Sequence, residues 1–195
     1  MQYDRIRKLQ LVERSDAAKR AAERYEIFVA GPFIDVSKDV SDPVNSGTSG
    51  KEIRYAVHRH YSSSGHNVYL GEDTELRLIG EKHYGPLSNA AFFERHYIKD
   101  NIHALIIFPD GPGVFCEFGD WATTKSTCEK MLVVIDSQHE GKPSYINDGT
   151  AKAAASFGAT VSYIDYADRD RVIRECDEFV AKLAAMGRID ELYSR

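Results

Sequence analysis

The residue whose type and setting best suit chemistry is Glu117, in the run Ala104–Ala122, ALIIFPDGPGVFCEFGDWA. Ala104–Phe108 is a short apolar run of the kind that forms a buried parallel strand. Pro109-Asp110-Gly111-Pro112-Gly113 can continue neither a strand nor a helix. After it, Phe115, Phe118, Trp121 and Ala122 recur at helical spacing. The spacing therefore predicts a strand, a tight turn and a helix, with Glu117 in about the first helical turn. In an open α/β sheet, ligands bind outside the carboxyl ends of the strands. A carboxylate there, after Gly111 and Gly113, which let a substrate approach the backbone, has the position of a catalytic group. The positive end of the helix dipole is expected to keep it ionised. The plainer alternative is an acid that only complements the dipole.

The elements that position this stretch alternate along the chain. Glu26–Ala30 (EIFVA) reads as strand one, followed by Gly31-Pro32-Phe33. Residues 34–50 form a polar loop, functional or disordered at that length. Its end opens a helix to about Ser63, with Ser49 as the cap. Free N–H groups at such a start can also hold a phosphate, although GxxxxGK[ST] and GxGxxG are both absent. Ile53, Ala56, Val57 and His60 or Tyr61 form its inner face. Strand two is His66–Leu70, residues 71–86 a second polar loop, and 87–101 a helix. The Glu117 helix runs to about Cys128. Strand four is Lys130–Asp136, residues 137–149 a loop, 150–157 a short helix and Thr160–Ile164 strand five. A last helix over about 168–186 packs through Val172, Cys176, Phe179, Leu183 and Met186. The fold class is α/β: a doubly wound, five-stranded parallel sheet, flavodoxin- or Rossmann-like, with helices on both faces. The order 2-1-3-4-5 brings Gly31-Pro32-Phe33 across a crevice from Asp110–Glu117.

Length and composition narrow the class. The 195 residues suit one domain at 25–195, preceded by a basic amphipathic helix at 1–24;. That helix packs on the domain or docks a partner or a second copy. The net charge of −5 argues against broad binding of nucleic acid;. Three cysteines, none in CxxC, suit a reducing cytoplasm, and Cys116 and Cys176 read as buried small hydrophobes;. No apolar run reaches membrane length. The seven histidines lack metal-ligand spacing, and no GxSxG elbow occurs;. Arg54 either bridges a carboxylate or reaches toward a phosphate in the crevice. Trp121, four residues beyond Glu117, is either core filler or an aromatic wall for a base.

Two segments resemble the nucleoside 2-deoxyribosyltransferase-like superfamily. FVAGPF at 28–33 is similar to its first-strand signature, and PDGPGVFCEFGDWA at 109–122 to its nucleophile segment. Within it, IIFPDGPGVFCEFGDWA at 106–122 and KPSYINDG at 142–149 are most similar to retron-associated, NAD-cleaving N-glycosidase effectors of anti-phage defence. The likeness covers residues 25–165. It leaves no room after the last helix for the C-terminal module of those effectors, which counts against a retron association.

The resemblance implies an N-glycosidase acting on a nucleotide, with NAD the leading substrate and no other cofactor. Glu117 would stabilise or capture an oxocarbenium-like centre. Asp110 would supply an acid for a neutral base, or hold ribose hydroxyls. Gly31, Pro32, Phe33, Arg54, Gly113, Phe115 and Trp121 would line the site, with Asn147 and Asp148 reaching the ligand from the loop after strand four. A homo-oligomer is implied, and a regulatory partner such as a reverse transcriptase–nucleic acid complex. The rival readings are a deoxyribosyltransferase or nucleoside-monophosphate nucleosidase, and a nucleotide-sensing domain without turnover. A lysine-decarboxylase-like phosphoribohydrolase is disfavoured, because its PGGxGTxxE run is not matched at Pro112–Glu117.

Overall fold

A computed structural model describes residues 24–85 and 89–193. The expected helix at 1–24 lies outside them except for Arg24, as does Leu87. Five parallel strands form one sheet in the order β2-β1-β3-β4-β5: β1 Glu26–Ala30, β2 Asn67–Tyr69, β3 Ala104–Ile107, β4 Met131–Asp136 and β5 Thr160–Ile164. In the central pair, Ile27 lies beside Ala104 and Ala30 beside Ile107. The carboxyl ends of β1 and β3 therefore open side by side, as the apolar strand runs and right-handed crossovers require.

Successive side chains of β3 point to opposite faces and bury both. Ala104 and Ile106 join one core with Ile53, Val57 and Tyr61 of α1 (Ser49–Ser63) and Val172, Cys176 and Phe179 of α7 (Arg169–Tyr193). Leu105 and Ile107 join the other with Phe93 and Ile98 of α3 (Ala90–Asn101) and Val114, Phe118 and Trp121 of α4 (Pro112–Trp121).

Several local expectations need correction. Residues 71–86 are not a loop throughout: Thr74–Tyr84 is helix α2, seated by the buried Leu76. Thr48, not Ser49, caps α1, its side chain accepting from the Lys51 N–H. The loop at 34–48 is held by its own bonds. Asn45 is fully buried; its Oδ1 accepts from Asp35 N at 2.7 Å, and its amide donates to the Asp35 and Asp39 carbonyls. The helix after β3 stops at Trp121, and a short α5 follows at Lys125–Cys128. Beyond β4 come a 3-10 turn at Ser137–His139, a π-turn at Ile146–Ala151 and α6 at Lys152–Ser156. Cys116 is exposed, because its helix turns that side to solvent, whereas Cys176 is buried. Met186 is also exposed, since α7 runs on past the sheet.

Candidate active site

The chain leaves β3 through Pro109-Asp110 into Gly111, whose φ of 124° an L side chain would resist;. Pro112 then opens α4 at a position that tolerates its missing N–H;. Counted from Pro112, Glu117 is the sixth helical residue, so it stands in the second turn and not the first. The dipole falls off within the first turn. Burial instead raises the Glu117 pKa above the usual carboxylate range; the Arg54 charge opposes that rise and Glu72 adds to it;. The expectation of a carboxylate held ionised by the helix end is corrected accordingly.

Glu117 lines a cleft of about 400 Å³ at the carboxyl ends of β1 and β3. Gly31, Pro32 and Phe33 form one wall, and Asp110 through Val114 the other. Phe33 stands at the rim, more than half exposed. Of the residues expected here, Gly31, Pro32, Phe33, Arg54, Asp110, Gly113 and Glu117 all line this one cleft. Asp110 also borders a smaller hollow of about 270 Å³ with Thr48, Ser49, Asp136 and Tyr166.

Arg54 bridges a carboxylate. It is 2% exposed, and Nη1 and Nη2 donate to Oε1 and Oε2 of Glu72 at 2.7 and 2.9 Å. Its Nη1 also donates to the Pro32 carbonyl, and Nε and Nη2 to that of Val29. Glu72 in turn accepts from Ile34 N at 3.2 Å. The pair ties the exits of β1 and β2 to α1, so the Gly31-Pro32-Phe33 wall rests on a fixed scaffold. A forked guanidinium suits this role because it meets a carboxylate with two parallel bonds.

Four expected residues stand elsewhere. Trp121 is 1% exposed and packs edge-on against Phe28, with ring centroids 6.0 Å apart; it is core, and not a wall of the cleft. Phe115 lies outside the lining, on the solvent side of α4. Asn147 and Asp148 border a separate cleft of about 440 Å³ that shares no lining residue with the first. There Asn147 does structural work: its amide donates to the His139 and Lys142 carbonyls at 2.7 Å, and its Oδ1 accepts from the Tyr163 hydroxyl. Asp148 pairs with Lys152 in solvent.

Sequence reasoning missed Glu72, Arg77 and Glu94, which complete the cleft. Glu94 is 4% exposed. Gly71 leaves the space it fills: a Cβ there would lie 2.8 Å from Glu94 Oε1. Burial, together with the negative charge of Glu117, pushes Glu94 up to about 7;. A signal existed, since 94 and 98 are one helical turn apart and Glu94 stands on the stripe that buries Ile98. Glu72 and Arg77 fell in the stretch taken for loop. The cleft thus holds two carboxylates, Glu94 and Glu117, in different surroundings. Such a pair can divide acid and base, or acid and nucleophile, between its members.

Residues 50–192 match the model of the STM3845 retron effector protein family. The chain belongs to that family. A relative from Escherichia coli, the "Retron Ec86 putative ribosyltransferase/DNA-binding protein", is 26% identical over 62 residues, 32% of this chain. That match spans 20% of the relative's own length. Family and relative both point to a retron association, which corrects the expectation against it. Among the described residues, no helix of this retron effector is long and apolar enough to cross a membrane.

Proposed function

We propose that this retron effector is an N-glycosidase acting on a nucleotide, with NAD the leading substrate and NAD depletion during phage infection its purpose. The observation that carries the reading is Glu117, a half-buried carboxylate in the cleft at the switch point of the sheet, facing the same space as the buried Glu94. The C1′–N bond of the substrate breaks with both electrons going to the base. Glu117 stabilises the oxocarbenium-like centre or captures it as a glycosyl ester, and water then completes hydrolysis. Asp110 is suited to the ribose hydroxyls.

Charge supports NAD within this reading. Arg54 is neutralised by Glu72, which leaves Glu94, Asp110 and Glu117 against Arg77 in the lining. An acidic cleft favours a substrate whose leaving group is already a cation, as the nicotinamide of NAD is, and such a group needs no acid to depart. One observation favours a second reading, a nucleoside-monophosphate nucleosidase or deoxyribosyltransferase. With its pKa pushed up to about 7, Glu94 is placed to hold a proton near neutral pH and to protonate a neutral base;. The named relative's ribosyltransferase description fits either reading. The family's retron context further supports a partner that restrains the enzyme, such as a reverse transcriptase–nucleic acid complex, and the resemblance supports a homo-oligomer.

The test is incubation of the protein with NAD, with nucleosides and with their monophosphates, followed by chromatography for released base. Nicotinamide from the wild type and none from Glu117→Gln is the expected result. Base from a nucleoside or monophosphate alone, or its incorporation into a new nucleoside when free base is added, would move the protein to the second reading.

A further inference from the structure

We infer that Arg77 anchors a phosphate of the nucleotide in the Glu117 cleft and so makes the site selective for nucleotides over nucleosides. The inference rests on the nucleotide reading of the cleft and adds the residue that enforces it.

Among the described residues, two cations line the cleft, Arg54 and Arg77. A guanidinium has five N–H donors. In Arg54 all five are engaged within the protein: Nε and Nη2 with Val29 O, Nη1 with Pro32 O, and Nη1 and Nη2 with Glu72. A phosphate could bind Arg54 only by breaking a buried ion pair. Arg77 is the opposite case. It sits in the first turn of α2, next to the buried Leu76 that fixes the register of that helix. Its side chain is exposed, and the one hydrogen bond that this side chain makes among the described residues is a long one, Nε to Gly71 O at 3.5 Å;. Both terminal nitrogens keep their donors. The other ionisable groups of the lining among the described residues are acids: Glu72, paired with Arg54, and Glu94, Asp110 and Glu117, which repel a phosphate. Among the described residues, a phosphate entering the cleft has one cationic partner outside an ion pair, Arg77, and a guanidinium fork matches two phosphate oxygens;.

The experiment uses Glu117→Gln, so that ligands are not consumed, with and without Arg77→Gln. Dissociation constants are measured for two matched pairs: nicotinamide mononucleotide with nicotinamide riboside, and adenosine monophosphate with adenosine. Arg77→Gln is expected to weaken the nucleotides about ten- to hundred-fold, the worth of one charge-assisted contact. The nucleosides should change by less than about two-fold on the same scale, and Arg77→Lys should recover part of the loss. Equal weakening of both members of each pair, or no weakening of the nucleotides, overturns the inference. Loss of nucleotide preference in a protein whose wild type releases no base upholds the anchor and removes the glycosidase reading. Base release by the wild type with unchanged nucleotide affinity in Arg77→Gln does the reverse.

Discussion

Replacing Glu94 with Gln should make the protein more stable at pH 8 than the wild type, and not at pH 4. Glu94 is 4% exposed and its pKa is raised from 4.5 to about 7, first by burial and then by the charge of Glu117. A carboxyl whose folded pKa exceeds its unfolded value supports the fold while protonated. That support is complete below about 4.5, is lost as pH rises through 7, and above 7 becomes the cost of a buried charge;. A rise from 4.5 to about 7 corresponds to about 3–4 kcal/mol, at about 1.4 kcal/mol per tenfold change in acidity;. Glutamine keeps the shape and carries no charge, so the variant escapes this loss. For a chain of this size about 3–4 kcal/mol corresponds to a Tm difference of roughly 6–16 °C. The assay is urea or thermal unfolding of both proteins at pH 4.5, 6 and 8. Their stability difference should grow in favour of Glu94→Gln as pH rises across that window. A difference that is flat with pH would refute the reasoning, since a mere packing change has no such dependence.

Two further substitutions test the scaffold. Arg54→Met removes one partner of a buried pair, leaves Glu72 without its cation and takes the guanidinium donors from the Val29 and Pro32 carbonyls. It should destabilise the fold by about 3–5 kcal/mol, read by denaturant unfolding, and a loss below about 1 kcal/mol would mean that water replaces the guanidinium. Asn147→Ala leaves the His139 and Lys142 carbonyls without their shared donor and should cost about 1–3 kcal/mol;. Because Asn147 lies outside the Glu117 cleft, KM for the cleaved nucleotide should stay within about two-fold;, and a large rise would return Asn147 to the substrate site.

The parts of the fold that were legible are those where burial forces the pattern. Ala104–Phe108 and Met131–Ile135 are unbroken apolar runs because the sheet is covered on both faces, and such runs, alternating with helical periods, leave few strand orders. Gly31-Pro32-Phe33 and Asp110–Glu117 could be brought together from topology alone. What escaped was carried by amphipathic or polar stretches. The sequence of Thr74–Tyr84 is mostly polar, so its helical period is faint, and Glu72 and Arg77 were missed with it. Glu94 was hidden for another reason: a carboxylate in an apolar stripe looks like an outward-facing residue until Gly71 is seen to make room for it. Trp121 was legible as core or as cleft wall, and only the direction of α4 decides, placing it against Phe28. Asn147 looked like a ligand contact, yet its amide closes the segment between β4 and α6 through the His139 and Lys142 carbonyls, and its Oδ1 ties that segment to Tyr163 of β5.

The most direct measurement of the central claim is nicotinamide release from NAD by the purified protein beside Glu117→Gln, with the fold of both checked by circular dichroism. Release by the wild type and none by the folded variant is the expected result. Equal release by the two proteins would contradict the role assigned to Glu117.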